Sequence, residues 1–169
     1  MKTLYLLRHG EAETNKCSDY DRELTEKGIT TTEIMGKHLK SAGAVIDMII
    51  SSGAPRAIST AETIAAEIGF PISEIQTDDI IYDAKIGDEL LPLFENVEPG
   101  VSSLMIVGHN PVLSDLGTLL TKDYKKIDMS KSSVVRIDFD SPDWESIKTG
   151  SGNFVYYRKN INGKIENIN

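Results

Sequence analysis

"TLYLLRHGEAETN", residues 3–15, is the stretch on which the fold of this chain turns. Its first five residues form a continuous apolar run, the pattern of a strand covered on both faces rather than of one that alternates between core and water. The run breaks directly into Arg8, His9 and Gly10. A buried strand ending this way either simply leaves the core or delivers those side chains to a site, and the rest of the chain decides between the two.

Three more segments read as strands, at residues 45–51, 103–107 and 134–139, the first two again continuous and apolar. Helical patterns lie between them. In "PRAISTAETIAAEIG", residues 55–69, Ala57, Ile58, Ala61, Ile64, Ala65 and Ile68 repeat at helical spacing, with Pro55 in the first turn and Gly69 as the stop. In "LTEKGITTTEIMGKHLKSAG", residues 24–43, Thr25 is the expected cap and Ile29, Thr32, Met35 and Leu39 share a face. A third helix follows "GHNP", residues 108–111, with Asn110 as cap and Pro111 at the first helical position. Strand, short loop and helix recur, which implies βαβ units with right-handed crossovers. "SSVVRIDFD" and "NFVYYRKN", joined around "TGSGN", read as a hairpin on the sheet edge. The expected fold is α/β, a three-layer sandwich with a mostly parallel central sheet and helices on both faces. No repeat, low-complexity tract or linker divides residues 1–169, so one domain is expected.

Composition narrows the function classes. The 169 residues are 40% hydrophobic and 26% charged, ordinary for a globular chain. Eighteen basic against 26 acidic residues leave a formal charge of −8, which argues against a nucleic-acid or anionic-membrane surface. Cys17 is the only cysteine, so no internal disulfide or zinc spacing exists. Arg8 and His9 interrupt the N-terminal apolar run too early for a signal peptide or membrane span. A cytoplasmic protein is expected, monomeric in the absence of any heptad or apolar patch.

In an open α/β sheet, ligands bind beyond the carboxyl ends of the parallel strands. Three such ends carry unusual residues: Arg8, His9 and Gly10 after the first, "SSGAPRA" with Arg56 after the second, "VGHNP" with His109 after the third. Two arginines, two histidines and helix N-termini describe an anion pocket, and guanidinium forks match phosphoryl oxygens. A neutral imidazole beside two arginines is pushed below its usual value of about 6.5 and stays nucleophilic. His9 is therefore the candidate nucleophile, with Arg8, Arg56 and His109 stabilising charge on phosphorus-bound oxygens. No cofactor is called for. No metal is expected either, because the histidines and carboxylates do not fall at ligand spacing. Asn15 either contacts the phosphate or turns its loop, and Arg22 either touches substrate or anchors its loop. Asp83, Glu11 and Asp88 are the candidates for an acid that protonates the leaving group, or else solvated carboxylates. His38 sits on a surface helix and Cys17 has no assigned role.

These residues resemble the histidine phosphatase superfamily, the phosphoglycerate mutase-like proteins. "LRHGEAETN" is similar to its signature, "SSGAPRAISTAETI" to its second-arginine segment and "VGHNPVLSDL" to its second-histidine segment, in that order and from residue 3 to about residue 139. The resemblance implies a phosphoglycerate mutase-like fold, His9 as nucleophile, Arg8 and Arg56 as phosphate ligands, and His109 as their partner. The short chain and "DRELTEKG" look most like the SixA-type phosphohistidine phosphatases. Asn15 is closer to the mutase and broad-phosphatase pattern. The glutamate acid of longer members has no matching counterpart in "YDAKIGDEL", residues 82–90. The implied partner is a phosphorylated protein, with a small phosphorylated molecule or a non-catalytic phosphate-binding role as alternatives.

Overall fold

The computed structural model describes residues 1–14 and 18–168. One seven-stranded sheet organises them, in the order β3-β2-β4-β1-β5-β6-β7. Its parallel half consists of β1 (Lys2–Arg8), β2 (Met48–Ser51), β3 (Gln76–Thr77) and β4 (Ser103–Gly108). Three antiparallel strands complete it, β5 (Val134–Phe139), β6 (Asn153–Ile161) and β7 (Lys164–Ile168). The expected edge hairpin is thus part of a three-stranded meander, whose last turn is made at Asn162 and Gly163, both at positive φ. An Asn-Gly pair is the usual sequence of such a turn.

Alternate residues of the central strands feed two cores. Leu4, Leu6, Leu104 and Ile106 face one side, packed by α4 (Val112–Leu120) and the 3-10 stretch Gly87–Asn96. Tyr5, Leu7, Met105 and Val107 face the other, packed by α1 (Glu26–Ser41) and α2 (Pro55–Ile68). Burial on both faces is why these strands read as unbroken apolar runs.

Several boundaries differ from the sequence reading. The strand expected over 45–51 begins only at Met48, and Val45 is exposed. Asp47 interrupts it, because its carboxylate accepts the backbone N–H groups of Ser102 and Ser103 at 2.9 and 2.8 Å. Ile29 lies outside the buried face of α1, where Gly28 and Gly36 join Thr32, Met35 and Leu39. Thr25 does cap this helix, accepting from Gly28 N at 3.0 Å. Asn110 does not cap α4, which starts one residue later than expected, at Val112. Its side chain is taken elsewhere: Nδ2 donates to Met129 O and Oδ1 accepts from Ser114 Oγ, each at 2.8 Å.

A candidate phosphoryl site at the strand ends

Register aligns the chemistry. Leu7 pairs with Val107 and Arg8 with Gly108, while Ser51 also pairs with Val107. The residues that follow, His9, Ser52 and His109, therefore leave the sheet side by side. His9 N donates to Gly108 O at 3.0 Å and Ser52 N to Val107 O at 2.9 Å, which extends the ladder to the rim. Gly10 lets the chain turn under α1: a Cβ there would stand 2.8 Å from Gly28 O and 2.9 Å from Thr32 Oγ1.

A cavity of about 380 Å³ opens at this rim. Arg8, His9, Arg56 and His109 all line it, as does Arg22. Asp19, Tyr82, Lys85, Asn110 and Lys131 complete its polar wall. Five basic side chains against one carboxylate make the cavity locally cationic on a chain of net charge −8.

His9 is only 6% exposed, and its Nδ1 lies 2.6 Å from Gly10 O. A carbonyl oxygen can only accept, so Nδ1 carries the proton and Nε2 keeps its lone pair. Burial, more than the neighbouring charges of His109, Arg56 and Arg8, holds the His9 pKa down at about 3. The sequence reading had the direction right but credited the arginines. The His109 ring centroid lies 5.2 Å from that of His9. Burial, then Arg56, lowers its pKa to about 4.

Ser52 selects the tautomer of His109. The two meet at 2.8 Å, Nε2 to Oγ, and Ser52 Oγ already accepts from Ala54 N at 3.3 Å. Ser52 is fully buried, and a buried hydroxyl proton without an acceptor costs about 1–3 kcal/mol. Donation from Ser52 to Nε2 satisfies it, which leaves His109 Nδ1 as an N–H donor.

Arg56 is 4% exposed. Its Nη1 donates to Asp19 O at 2.5 Å and its Nη2 to Asp19 Oδ2 at 2.9 Å. Arg8 Nη1 donates to Met129 O at 2.7 Å. Of the six buried side-chain nitrogens without a partner among the described residues, three belong to side chains that line this cavity: Arg8 Nε, Arg56 Nε and His109 Nδ1. Buried polar groups are normally satisfied, so three such donors on side chains that share one cavity with His9 suit an acceptor-rich group.

Arg22 has the loop contacts expected of an anchoring residue, on the cavity wall. It lines the cavity, and it anchors the loop through Glu13 O at 2.6 Å and Asp19 Oδ1 at 2.9 Å. Asn15 and Cys17 lie outside the described residues. The three candidate acids are absent from the lining. Glu11 is paired with Lys27 at 3.2 Å. Asp83 and Asp88 are exposed, and Asp83 points away while its neighbours Tyr82 and Ala84 face in. Successive residues of a helical turn project about 100° apart, so the three cannot all face the same wall. Ser52, Asp19, Lys85 and Lys131 were not singled out in the sequence. Only Ser52 carried a signal, by its place in "SSGAPRA" at a strand end.

Among the described residues, no three His, Cys, Asp or Glu side chains gather as a metal-binding set, and no helix is long and apolar enough to cross a membrane.

Residues 4–89 match the model of the Histidine phosphatase superfamily (branch 1). Phosphohistidine phosphatase SixA of Escherichia coli (strain K12) is 23% identical over 162 residues, 96% of this chain and 96% of its own length. A 2,3-bisphosphoglycerate-dependent phosphoglycerate mutase of Bartonella bacilliformis is 34% identical over 91 residues. That match takes in 52% of this chain and only 44% of the mutase, so the chain spans less than half the length of that relative. Among solved structures, the protein histidine phosphatase SixA complexed with tungstate superimposes with a TM-score of 0.78 at 24% identity, covering 93% of this chain and 96% of that one. Mycobacterial glucosyl-3-phosphoglycerate phosphatase does so with a TM-score of 0.68 at 18% identity, covering 90% and 96%. Both share the fold.

Proposed function

Because this chain belongs to the histidine phosphatase superfamily, we propose that it is a metal-independent phosphatase that uses His9 as nucleophile and acts on phosphohistidine in proteins. The observation that carries this reading is that Arg8, Arg56 and His109, each with a buried nitrogen lacking a partner among the described residues, line the same cavity as a histidine whose Nε2 is unprotonated. Each charge-assisted hydrogen bond to a phosphoryl oxygen contributes about 1.5–3 kcal/mol.

His9 Nε2 attacks phosphorus, the P–N bond to the substrate imidazole breaks, and Gly10 O holds the Nδ1 proton as the ring gains positive charge. Water then attacks phosphorus, the P–Nε2 bond breaks and its electron pair returns to Nε2. Over both steps one proton of the water ends on the released imidazole and the other stays on hydrogen phosphate. The arginines and His109 supply donors to the oxygens on which negative charge concentrates.

The leaving group follows from the cavity wall. Glu11, Asp83 and Asp88 do not line it. Asp19 does, but its hydrogen bond from Arg22, followed by the charge of Arg56, holds its carboxyl below the usual range. An imidazole nitrogen is readily protonated by solvent and asks less of an acid than an alkyl alcohol does. This favours a phosphoramidate over an alkyl phosphate ester. The mutase match over half of the chain is what favours the second reading, a broad small-molecule phosphomonoesterase.

The test is turnover of a phosphohistidine peptide beside an alkyl phosphate ester, in chelator, with His9→Ala as control. Fast, His9-dependent release from the peptide is the expected result. Equal or better ester hydrolysis selects the second reading. Tight phosphate binding without turnover of either substrate would leave a non-catalytic phosphate-binding module.

A further inference from the structure

A second concavity lies on the other side of one wall of the catalytic cavity. Its volume is about 310 Å³, and it is lined by Lys125, Lys126, Ile127, Asp128 and Ser130 together with residues of β6 and β7. The floor is apolar, made by Ile127, Phe154 and Ile168. The rim is cationic, with Lys125, Lys126 and Lys159. Lys125 Nζ stands 4.4 Å from the centre of the Phe154 ring, so a cation–π contact holds that ammonium at the edge of the floor. Asp128, the acidic residue in the lining, acts on Arg8 across the wall.

The wall is short and built into both sites. Lys131 lines the catalytic cavity, while Asp128 and Ser130 line the second. Between them Met129 O accepts Arg8 Nη1 at 2.7 Å and Asn110 Nδ2 at 2.8 Å. Tyr157 Oη accepts from Ser130 N at 2.8 Å, which fixes the wall from the groove side. Lys131 follows Lys126 by five positions, so these two lining residues lie within about 17 Å of each other even if the chain between them is fully extended.

We propose that this lysine-rimmed groove docks an acidic segment of the phosphorylated protein substrate, seating an apolar side chain on Phe154 and Ile127 while flanking carboxylates meet Lys125, Lys126 and Lys159. The proposal rests on the phosphoprotein reading above. Charge complementarity selects this occupant. A chain of net charge −8 repels acidic proteins at long range, and a local basic rim beside the active site offsets that repulsion where the partner must bind. A small phosphorylated molecule, held wholly within the catalytic cavity, has no use for the groove.

Two measurements on Lys125→Glu/Lys126→Glu/Lys159→Glu test this, with circular dichroism and phosphoramidate hydrolysis as controls for folding and for the unaltered catalytic cavity. The first is fluorescence anisotropy of a labelled, unphosphorylated peptide with one central leucine and four flanking glutamates. The expected result is saturable binding to the wild type that weakens with salt, and affinity at least about tenfold lower in the variant. The second compares phosphohistidine peptides with glutamate or lysine flanks. The wild type should show a lower KM for the acidic one, and the variant should reverse that preference. If neither protein turns over any phosphorylated substrate, the phosphatase reading fails, and the anisotropy still decides the groove. Equal binding of the acidic peptide to both proteins overturns the proposal. So does a concentration-dependent dimer of the wild type that the variant loses, which would make the groove a contact between copies of this chain.

Discussion

Asp19 holds Arg56 with two groups at once, its backbone carbonyl on Nη1 and its carboxylate on Nη2, at 2.5 and 2.9 Å. The same carboxylate also receives Arg22 and Tyr82, at 2.9 and 3.2 Å. A carboxylate thus stands on the guanidinium to which the proposed function assigns the phosphoryl group, and on that reading two anions compete for one cation. Asp19→Asn removes the competing charge and keeps the backbone contact. Because the Asp19 side chain is 58% exposed, solvent screening limits the gain. Inhibition by inorganic phosphate should strengthen roughly three- to tenfold, on the order of 1 kcal/mol. Unchanged or weaker inhibition would instead make Asp19 a residue that positions Arg56 for the phosphate.

Ser52 should matter through His109. Ser52→Ala removes the hydroxyl that meets Nε2 and frees the ring to adopt the other tautomer. The Nδ1 donor is then lost part of the time. A fall in kcat of about tenfold with little change in KM is expected, as for loss of an interaction made mainly in the transition state. Nitrogen-15 chemical shifts of the His109 ring report the tautomer directly, and an unaltered spectrum in the variant would refute the assignment.

The carboxylates outside the cavity should be silent. Glu11→Gln, Asp83→Asn and Asp88→Asn are each expected to leave phosphohistidine turnover within about twofold of wild type. A large loss in any one of them, with the fold intact by circular dichroism, would identify the acid and weaken the argument for a readily protonated leaving group.

Stability should fall with acid, in a window set by the buried His9 and the half-buried His109. Both are neutral when folded, with pKa values near 3 and 4 for His9 and His109, against about 6.5 unfolded. Between those limits the unfolded chain binds more protons than the native one. Stability therefore rises with pH, and it is lost as pH falls below about 6.5. Each histidine contributes a slope of up to about 1.4 kcal/mol per pH unit. Urea unfolding of His109→Gln between pH 4.5 and 6.5 should show a slope shallower by roughly that amount, and a slope equal to wild type would show that His109 is not buried neutral.

Gly10→Ala should destabilise without touching a charged group. The added Cβ meets backbone Gly28 O and the Thr32 hydroxyl closer than 3.0 Å, so the loop or α1 has to shift, at a cost of about 1–3 kcal/mol. A thermal midpoint lower by about 2–4 °C per kcal/mol is the expected reading.

Much of this architecture was legible beforehand because it rests on local signals. Three apolar runs and the segment 134–139 marked four strands, Thr25 marked the start of α1, and Pro55 with Gly69 bounded α2. The misplaced features depended on partners distant in sequence. Asn110 reads as a cap until Met129 and Ser114 claim its side chain. Residues 45–47 read as strand until Asp47 turns its carboxylate onto the amides of Ser102 and Ser103. Met129, Ser102 and Ser103 lie 19, 55 and 56 residues from the positions they alter, beyond the reach of a local pattern.

What the sequence determined by itself is the identity and order of the groups beyond the strand ends, Arg8 and His9, then Arg56, then His109. A buried parallel strand announces itself through its apolar run, and whatever follows it must emerge at the same rim. What only the tertiary structure decided is which groups share a wall and in what protonation state. Burial sets the neutral form of His9, Gly10 O and Ser52 set the two tautomers, Asp19 covers Arg56, and Lys85 and Lys131 arrive from segments with no periodic signal. Apart from the contact between the adjacent His9 and Gly10, these are contacts through space between residues dozens of positions apart, and they exist only once the sheet has brought its carboxyl ends together.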